Sequence, residues 1–254
     1  DIGIGMGITG TDVTKNVADM ILADDNFATI VSAVDEGRKI YTNIRKSIQF
    51  LLSSNLSEVI AVFVSTMLGF VILKPVHILW INLITDSLPA LALGMEPSED
   101  DSMKQKPRDP KDGIFAGGVG FDILYQGFLV AMLTIVAYLI GHYIETKTFS
   151  LTTSADGISM AFLTLSIAEI CHAFNVRRQR KSLLNVKKQN LYLWGAGLIA
   201  LILTTVVIYV PFIRELFGFE YISLMEYGIA LLLGFSIVPI VEIIKFFQRL
   251  KKSK

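Results

Sequence analysis

The chain has 254 residues, of which 52% are hydrophobic and 18% charged, with a mean hydropathy of +0.56. That is too apolar for an ordinary soluble domain and implies several membrane spans. The net charge is zero, so no global field draws the chain to nucleic acid, and a single cysteine, Cys171, excludes an intrachain disulfide.

Residues 1–36 are the only soluble-looking portion of any length. DIGIGMG reads as a short glycine-bearing strand, TDVTKNVAD as a helix capped by Thr11 or Asp12, and MILAD as a short buried strand. DDNFATIVSAVDEGRKIY opens a further helix behind an Asp/Asn cap. This order suggests the end of an α/β domain, too short to hold a core alone, so the chain reads as a piece of a longer protein. Gly3, Gly5, Gly7 and Gly10 lack the G-x-G-x-x-G spacing and the Lys-Ser/Thr ending of a phosphate loop, which favours a strand end and tight turn.

From about Ala33 a helical pattern runs unbroken into the first apolar run, so one rod is expected to leave the soluble part and enter the membrane. Six spans follow, at roughly 47–70, 76–94, 119–144, 157–176, 191–213 and 224–246, each long enough for ~30 Å of hydrocarbon. The expected fold class is therefore all-α, a polytopic bundle over 37–254.

Basic residues set the orientation. Arg38, Lys39, Arg45 and Lys46 precede the first span; Lys104, Lys106, Arg108 and Lys111 follow the second. Arg177, Arg178, Arg180, Lys181, Lys187 and Lys188 follow the fourth, and Lys245, Arg249, Lys251, Lys252 and Lys254 close the chain. The alternate loops hold only Lys74, Lys147 and Arg214, which places both ends in the cytoplasm. The loop at 95–118 is either a solvated connector or a segment that docks on a soluble domain.

The first two spans carry polar residues in mid-membrane, where a charge costs on the order of 3 kcal/mol by insertion scales. Asn55 and Glu58 share a helix face, with Ser53, Ser54 and Ser57 on the same turns. Asn82, Thr85 and Asp86 fall at i, i+3 and i+4, and Pro89 removes the usual donor to the carbonyl of residue 85. The fourth span adds Glu169. Beside it, Cys171 and His172 raise a soft-metal site, but only His172 can share the face of Glu169, and helix packing explains them better. His77, His142, Asp122, Glu226 and Glu242 lie near span ends, where interface placement is the default.

Asn55, Glu58, Asn82, Thr85, Asp86 and Glu169 are hard oxygen donors with about nine oxygens between them, and Ca²⁺ takes 6–8. Mg²⁺ suits a dehydrated cage less well, and Zn²⁺ or Cu⁺ wants Cys or His. Interhelical hydrogen bonding alone would explain the Asn, Ser and Thr, but three carboxylates poorly.

MILADDNFATIVSAVDEGRKIYTNIRKSIQFLLSSNLSE, LWINLITDSLPALALGMEP and IAEICHAFN resemble the C-terminal part of P-type cation-transporting ATPases of the type II calcium-pump group. The resemblance implies that 1–36 end a HAD-like phosphorylation domain and that the spans are the parent's fifth to tenth helices. It implies Asn55 and Glu58 as fifth-helix ligands, Asn82, Thr85 and Asp86 as sixth-helix ligands with Asp86 bridging two ions, and Glu169 as the eighth-helix carboxylate. Asn at position 82, where the sodium–potassium branch usually carries Asp, favours Ca²⁺; Na⁺ or Mn²⁺ transport and a structural or regulatory bundle are the alternatives. The implied function is ATP-driven export of Ca²⁺ with proton return, in the cell membrane of a bacterium. DKTGT and TGDGVND do not occur here, so ATP and Mg²⁺ belong to absent domains, the first four helices are absent too, and this chain alone is not expected to hydrolyse ATP.

Overall fold

The computed structural model describes residues 2–98, 102–104, 106–109, 111–149, 151–179, 181–183, 186 and 188–252. Arg180, Lys187 and Lys254, counted above for orientation, lie outside the described residues, as do 99–101, 105 and 110 of the 95–118 loop.

The chain divides into two compact units: Asp1–Thr42 with Ser98–Arg108, and Asn43–Pro97 with Asp109–Lys254. In the first, β1 (Ile4–Met6) and β2 (Met20–Leu22) pair in parallel across α1 (Asp12–Val17), with Gly5 opposite Ile21. Thr11 caps α1, its Oγ1 accepting from the Thr14 amide at 3.3 Å. The glycine-rich segment is a strand end and turn. A Cβ on Gly7 would stand 2.6 Å from the Leu22 carbonyl oxygen. The turn's free amides are taken by Asp25, whose carboxylate accepts from Ile8 N at 2.8 Å, Thr9 N at 2.7 Å and Thr9 Oγ1 at 2.7 Å. Asp25 itself has φ +51°, a left-handed conformation that Asp and Asn tolerate best among non-glycine residues. Of the 95–118 loop, Arg108 places its guanidinium 4.1 Å from the Tyr41 ring centroid, a cation–π contact within this unit.

α2 (Thr29–Met67) opens behind Asp24, which accepts from Thr29 Oγ1 at 2.7 Å, and behind Asn26, which accepts from Ala28 N at 3.0 Å. Its 39 residues span roughly 58 Å, and Gly69, at φ +84°, lies just past its end.

The second unit is a bundle. Six helical stretches are long and apolar enough to cross a membrane: Thr29–Met67, Pro75–Gly94, Ala116–Thr146, Ala155–Val176, Leu191–Tyr209 and Leu224–Leu250. The second stretch is not one α-helix. It runs as α3 (Pro75–Trp80), a π-helical segment (Ile81–Asp86) and α4 (Ser87–Gly94). The third contains α5 (Val119–Thr146) and the fourth is α6 (Ala155–Val176). The apolar run expected at 191–213 is interrupted: α7 (Leu191–Tyr209) stops because Pro211 starts a separate helix, α8 (Pro211–Phe217), which closes on left-handed Gly218. α9 (Leu224–Lys252) completes the bundle.

α6 is the axis. Its apolar window is 94% buried, against 28–44% for the other five, and it packs on α5, α7, α9, α4 and the π segment. Glycines let the backbones approach. A Cβ on Gly141 of α5 would meet Asp156 O and Gly157 Cα of α6 at 2.9 Å, and one on Gly127 would meet Ser53 O of α2 at 2.9 Å.

Two predictions follow from this packing. Gly141→Ala forces α5 off α6 and is expected to destabilise by about 1–3 kcal/mol, whereas Gly195→Ala, with nothing within 4 Å, stabilises or is neutral; thermal unfolding in lipid nanodiscs separates them. The second concerns acid. Backbone bonds from Ile8, then the Thr9 hydroxyl, hold the Asp25 carboxyl below its ordinary value of 3.8. The folded pKa is depressed, so the stabilisation is present above the unfolded pKa and lost as pH falls through the folded one. Deuterium exchange at Ile8 and Thr9 is expected to accelerate as pH drops below about 4, beyond the intrinsic chemistry of exchange. Asp25→Asn, which keeps the left-handed tolerance, should accelerate it already at pH 7 and abolish that acid step.

Candidate cation site

The π segment follows from local chemistry. Pro89 has no N–H, so one carbonyl in the turn before it goes without a main-chain donor, and a wider turn redistributes the loss. The Ser87 hydroxyl bonds back to Asn82 O at 2.8 Å, one turn earlier. The sequence signalled the break through Pro89 but not the change of helix type.

The segment presents Asn82, Thr85 and Asp86 in three ways. Asn82 Nδ2 donates to both carboxylate oxygens of Glu58 on α2, each at 3.0 Å, and to Ile78 O at 3.0 Å. Thr85 Oγ1 lies 3.0 Å from Glu169 Oε2 on α6 and 2.9 Å from Ile81 O. Asp86 is 1% exposed, and neither of its carboxylate oxygens has a hydrogen-bond partner. The Ser54 hydroxyl of α2 is placed to donate to Asp86, though outside strict hydrogen-bond geometry; Glu169 Oε1 also lacks a well-formed partner. Glu58 is 5% exposed and Glu169 fully buried. The three acids are within electrostatic reach of one another.

Five of the six expected residues thus form two bonded pairs with Asp86 beside them. Asn55 does not join them. It sits on the exposed side of α2, its Nδ2 donating to Leu51 O at 2.7 Å. Nor do the carboxylates converge: among the described residues no three His, Cys, Asp or Glu side chains come together closely enough to hold a metal ion. Such an arrangement leaves carboxylate acceptors without well-formed partners beside hydroxyl and amide groups, a chemistry suited to a hard cation or to protons.

Of the groups near span ends, His77, His142, Asp122 and Glu226 are buried and Glu242 is half-buried. His77 is fully buried, its Nδ1 accepting from Lys74 N at 3.1 Å and its Nε2 donating to Phe217 O at 2.8 Å. Lys74 Nζ adds a bond to Gly218 O at 3.0 Å. Asp122 accepts from Gln248 at 3.2 Å, and Glu226 closes a cap with Ser223 at 2.7 Å. His172 Nε2 meets Ser53 Oγ at 2.8 Å and its ring lies 6.1 Å from Phe50, a packing role that leaves no soft-metal pair with buried Cys171.

Residues 70–247 match the family described as cation transporting ATPase, C-terminus. The chain belongs to the cation-transporting ATPases. It is 43% identical over 98% of its length to a Bacillus cereus protein named calcium-transporting ATPase 1, and 43% identical over 94% to a Bacillus subtilis calcium-transporting ATPase. An Arabidopsis thaliana relative, calcium-transporting ATPase 3 of endoplasmic reticulum type, is 35% identical over 98%. The chain spans only 26–29% of the length of these relatives. In this family member the carboxylates, helix interruption and apolar stretches all fall within or beside the matched region.

Asp86→Asn is expected to remove a buried carboxyl that has no well-formed hydrogen bond. Without divalent cations the variant should melt higher, by about 2–4 °C for each kcal/mol relieved, and should lose any rise in melting temperature that Ca²⁺ gives the unaltered protein. Scanning fluorimetry with chelator and with Ca²⁺ reads both.

Proposed function

We infer that this chain is the membrane part of an ATP-driven pump that exports Ca²⁺ from the cytoplasm, with Glu58, Asn82, Thr85, Asp86 and Glu169 as the cation's oxygen donors and Asn55, which faces away from them, left out of the set. The observation that carries it is Asp86. Interhelical glue accounts for the Asn82–Glu58 and Thr85–Glu169 pairs, but not for a buried carboxylate whose two oxygens make no well-formed hydrogen bond and have only the Ser54 hydroxyl beside them. The names of the relatives favour Ca²⁺ over Na⁺ or Mn²⁺.

The bonds suggest how a cation would enter. Asn82 now offers Nδ2 to Glu58; turning the amide offers Oδ1 instead and frees the carboxylate. Thr85 likewise releases Glu169 by rotating its hydroxyl. Asp86, next to Thr85 at the end of the π segment, takes ions without breaking a well-formed bond. When the cation leaves, the same carboxylates take protons, which makes H⁺ the natural counter-ion. Residues 1–36 act as the end of the phosphorylation domain and the six spans as the fifth to tenth helices, both ends cytoplasmic, in a bacterial cell membrane. The lipid bilayer, the pump's other cytoplasmic domains and its first four helices are the partners, and ATP with Mg²⁺ is handled there.

In sealed vesicles bearing the full-length protein, Ca²⁺-stimulated ATP hydrolysis and Ca²⁺ uptake are expected, and Glu58→Gln or Asp86→Asn should lower apparent Ca²⁺ affinity by at least tenfold. Stimulation by Na⁺ or Mn²⁺ but not Ca²⁺ would change the ion. Ion dependence untouched by either substitution would return these residues to glue.

A further inference from the structure

The end of α4 is held by a buried polar node that none of the ion chemistry uses. Glu96, 4% exposed, receives Arg177 Nε at 3.0 and 3.1 Å and Asn190 Nδ2 at 2.8 Å. Arg177, 3% exposed, also reaches Gln189 Oε1 at 3.3 Å and Lys188 O at 3.1 Å. Asn190 caps α7, its Oδ1 accepting from Leu193 N at 3.1 Å, and donates to Ala92 O at 2.8 Å. Asn43 of α2 donates to Gly94 O at 3.2 Å and Glu96 O at 2.7 Å. The last carbonyls of a helix lack intrahelical donors. Here those of α4 and of the residues just beyond it are supplied by α2 and by the start of α7, while the carboxylate that follows is clamped by the end of α6.

We propose that Glu96, Arg177, Asn43 and Asn190 are positioning residues that fix the rotation and height of α4, and through it the direction in which Asp86 faces. Three observations carry this. α4 is only eight residues long, about 12 Å, and joins the π segment directly. The junction is weak, because Pro89 leaves it short of a main-chain bond. The Asp86 carboxylate makes no hydrogen bond within its own segment. Bonds from neutral donors tie the middle of the segment, from Asn82 to Glu58, from Thr85 to Glu169 and from Ser47 Oγ to Ala90 O at 3.0 Å, whereas its ends carry the denser, charged clamps. The far end is held by Lys74 and His77 on the 217–218 turn, and the near end by this node. A buried Arg–carboxylate pair is a weak source of net stability but a strong geometric constraint, since Arg offers a planar fork. The inference that the positioned group binds Ca²⁺ rests on the function proposed above; the inference that it is positioned does not.

The test uses the full-length protein in nanodiscs with Arg177→Met, and Arg177→Lys should the first fail to fold. Deuterium exchange without Ca²⁺ is expected to rise at least fivefold across 81–90, while α5 and α9 stay unchanged. The Ca²⁺ concentration for half-maximal hydrolysis should rise at least fivefold with the maximal rate within twofold, and Arg177→Lys should give a smaller shift of both readouts. Faster exchange confined to 92–96 and 188–193, or spread evenly over the bundle, overturns the positioning role. So does an unchanged half-activation in an active protein. If the unaltered protein shows no Ca²⁺-stimulated hydrolysis, the Ca²⁺ reading falls, and the exchange pattern alone decides the node.

Discussion

The buried carboxylate of Asp86, without a well-formed hydrogen bond, is the constraint around which the bundle is arranged. Such a group is costly in a low-dielectric interior, and the surrounding structure limits the cost instead of cancelling it. Glu58 receives the Asn82 amide and Glu169 the Thr85 hydroxyl, so two of three neighbouring acids are partly satisfied by neutral donors. The third is left open. A helix that carried Asp86 in ordinary α geometry, with all main-chain bonds made, would have little reason to tolerate this. The π segment ahead of Pro89 already lacks a full set, and π turns recur at functional positions for that reason.

The frame and the adjustable part are built from different chemistry. α6 is packed against α5 and α9 through glycines at backbone contact distance, and its interior-facing groups are largely apolar. Close packing of this kind moves as a block, because cores are bistable and not continuously deformable. Glu169 rides on that block. Asp86 rides on the interrupted helix, tied at its ends by side-chain bonds to α2, to the start of α7 and to the 217–218 turn. Carboxylates on elements of unequal stiffness can be brought together or drawn apart without repacking the core.

Much of this was legible in the sequence, and what was not has physical causes. The i, i+3, i+4 spacing of Asn82, Thr85 and Asp86 marked one helix face, and charge in an apolar run singled out Glu58 and Glu169. Composition cannot say which side of α2 Asn55 takes; in the structure it lies exposed, its amide turned onto Leu51. Hydropathy treats Glu96, Arg177 and Asn190 as loop residues, because their partners are 81–98 positions away and no local periodicity links them. His77 and Asp122 were read as interfacial from their nearness to span ends. Their burial comes from other helices and turns covering them, a tertiary effect. The glycine turn at 7–10 was separable from a phosphate loop by spacing, but its reason, a carboxylate at Asp25 occupying the amides, needed the fold.

Stiffness also bears on what sets ion affinity. A cage in which every donor is rigid binds tightly and releases slowly, while one in which every donor is loose pays ordering entropy at each binding. With Glu169 on tightly packed α6, and Asp86 set by distant anchors as proposed above, loss of an anchor would move one donor and leave the other in place, so that affinity would depend on groups that never touch the ion. Breaking a buried ion pair such as Glu96–Arg177 from one side costs about 3–5 kcal/mol, more than enough to change which orientation of a weakly bonded eight-residue helix is preferred. In the proposed site the chemistry of binding and its control would therefore fall on different residues: Asp86 and its neighbours would supply the oxygens, and Asn43, Arg177 and Asn190, on other elements, would set where the segment points.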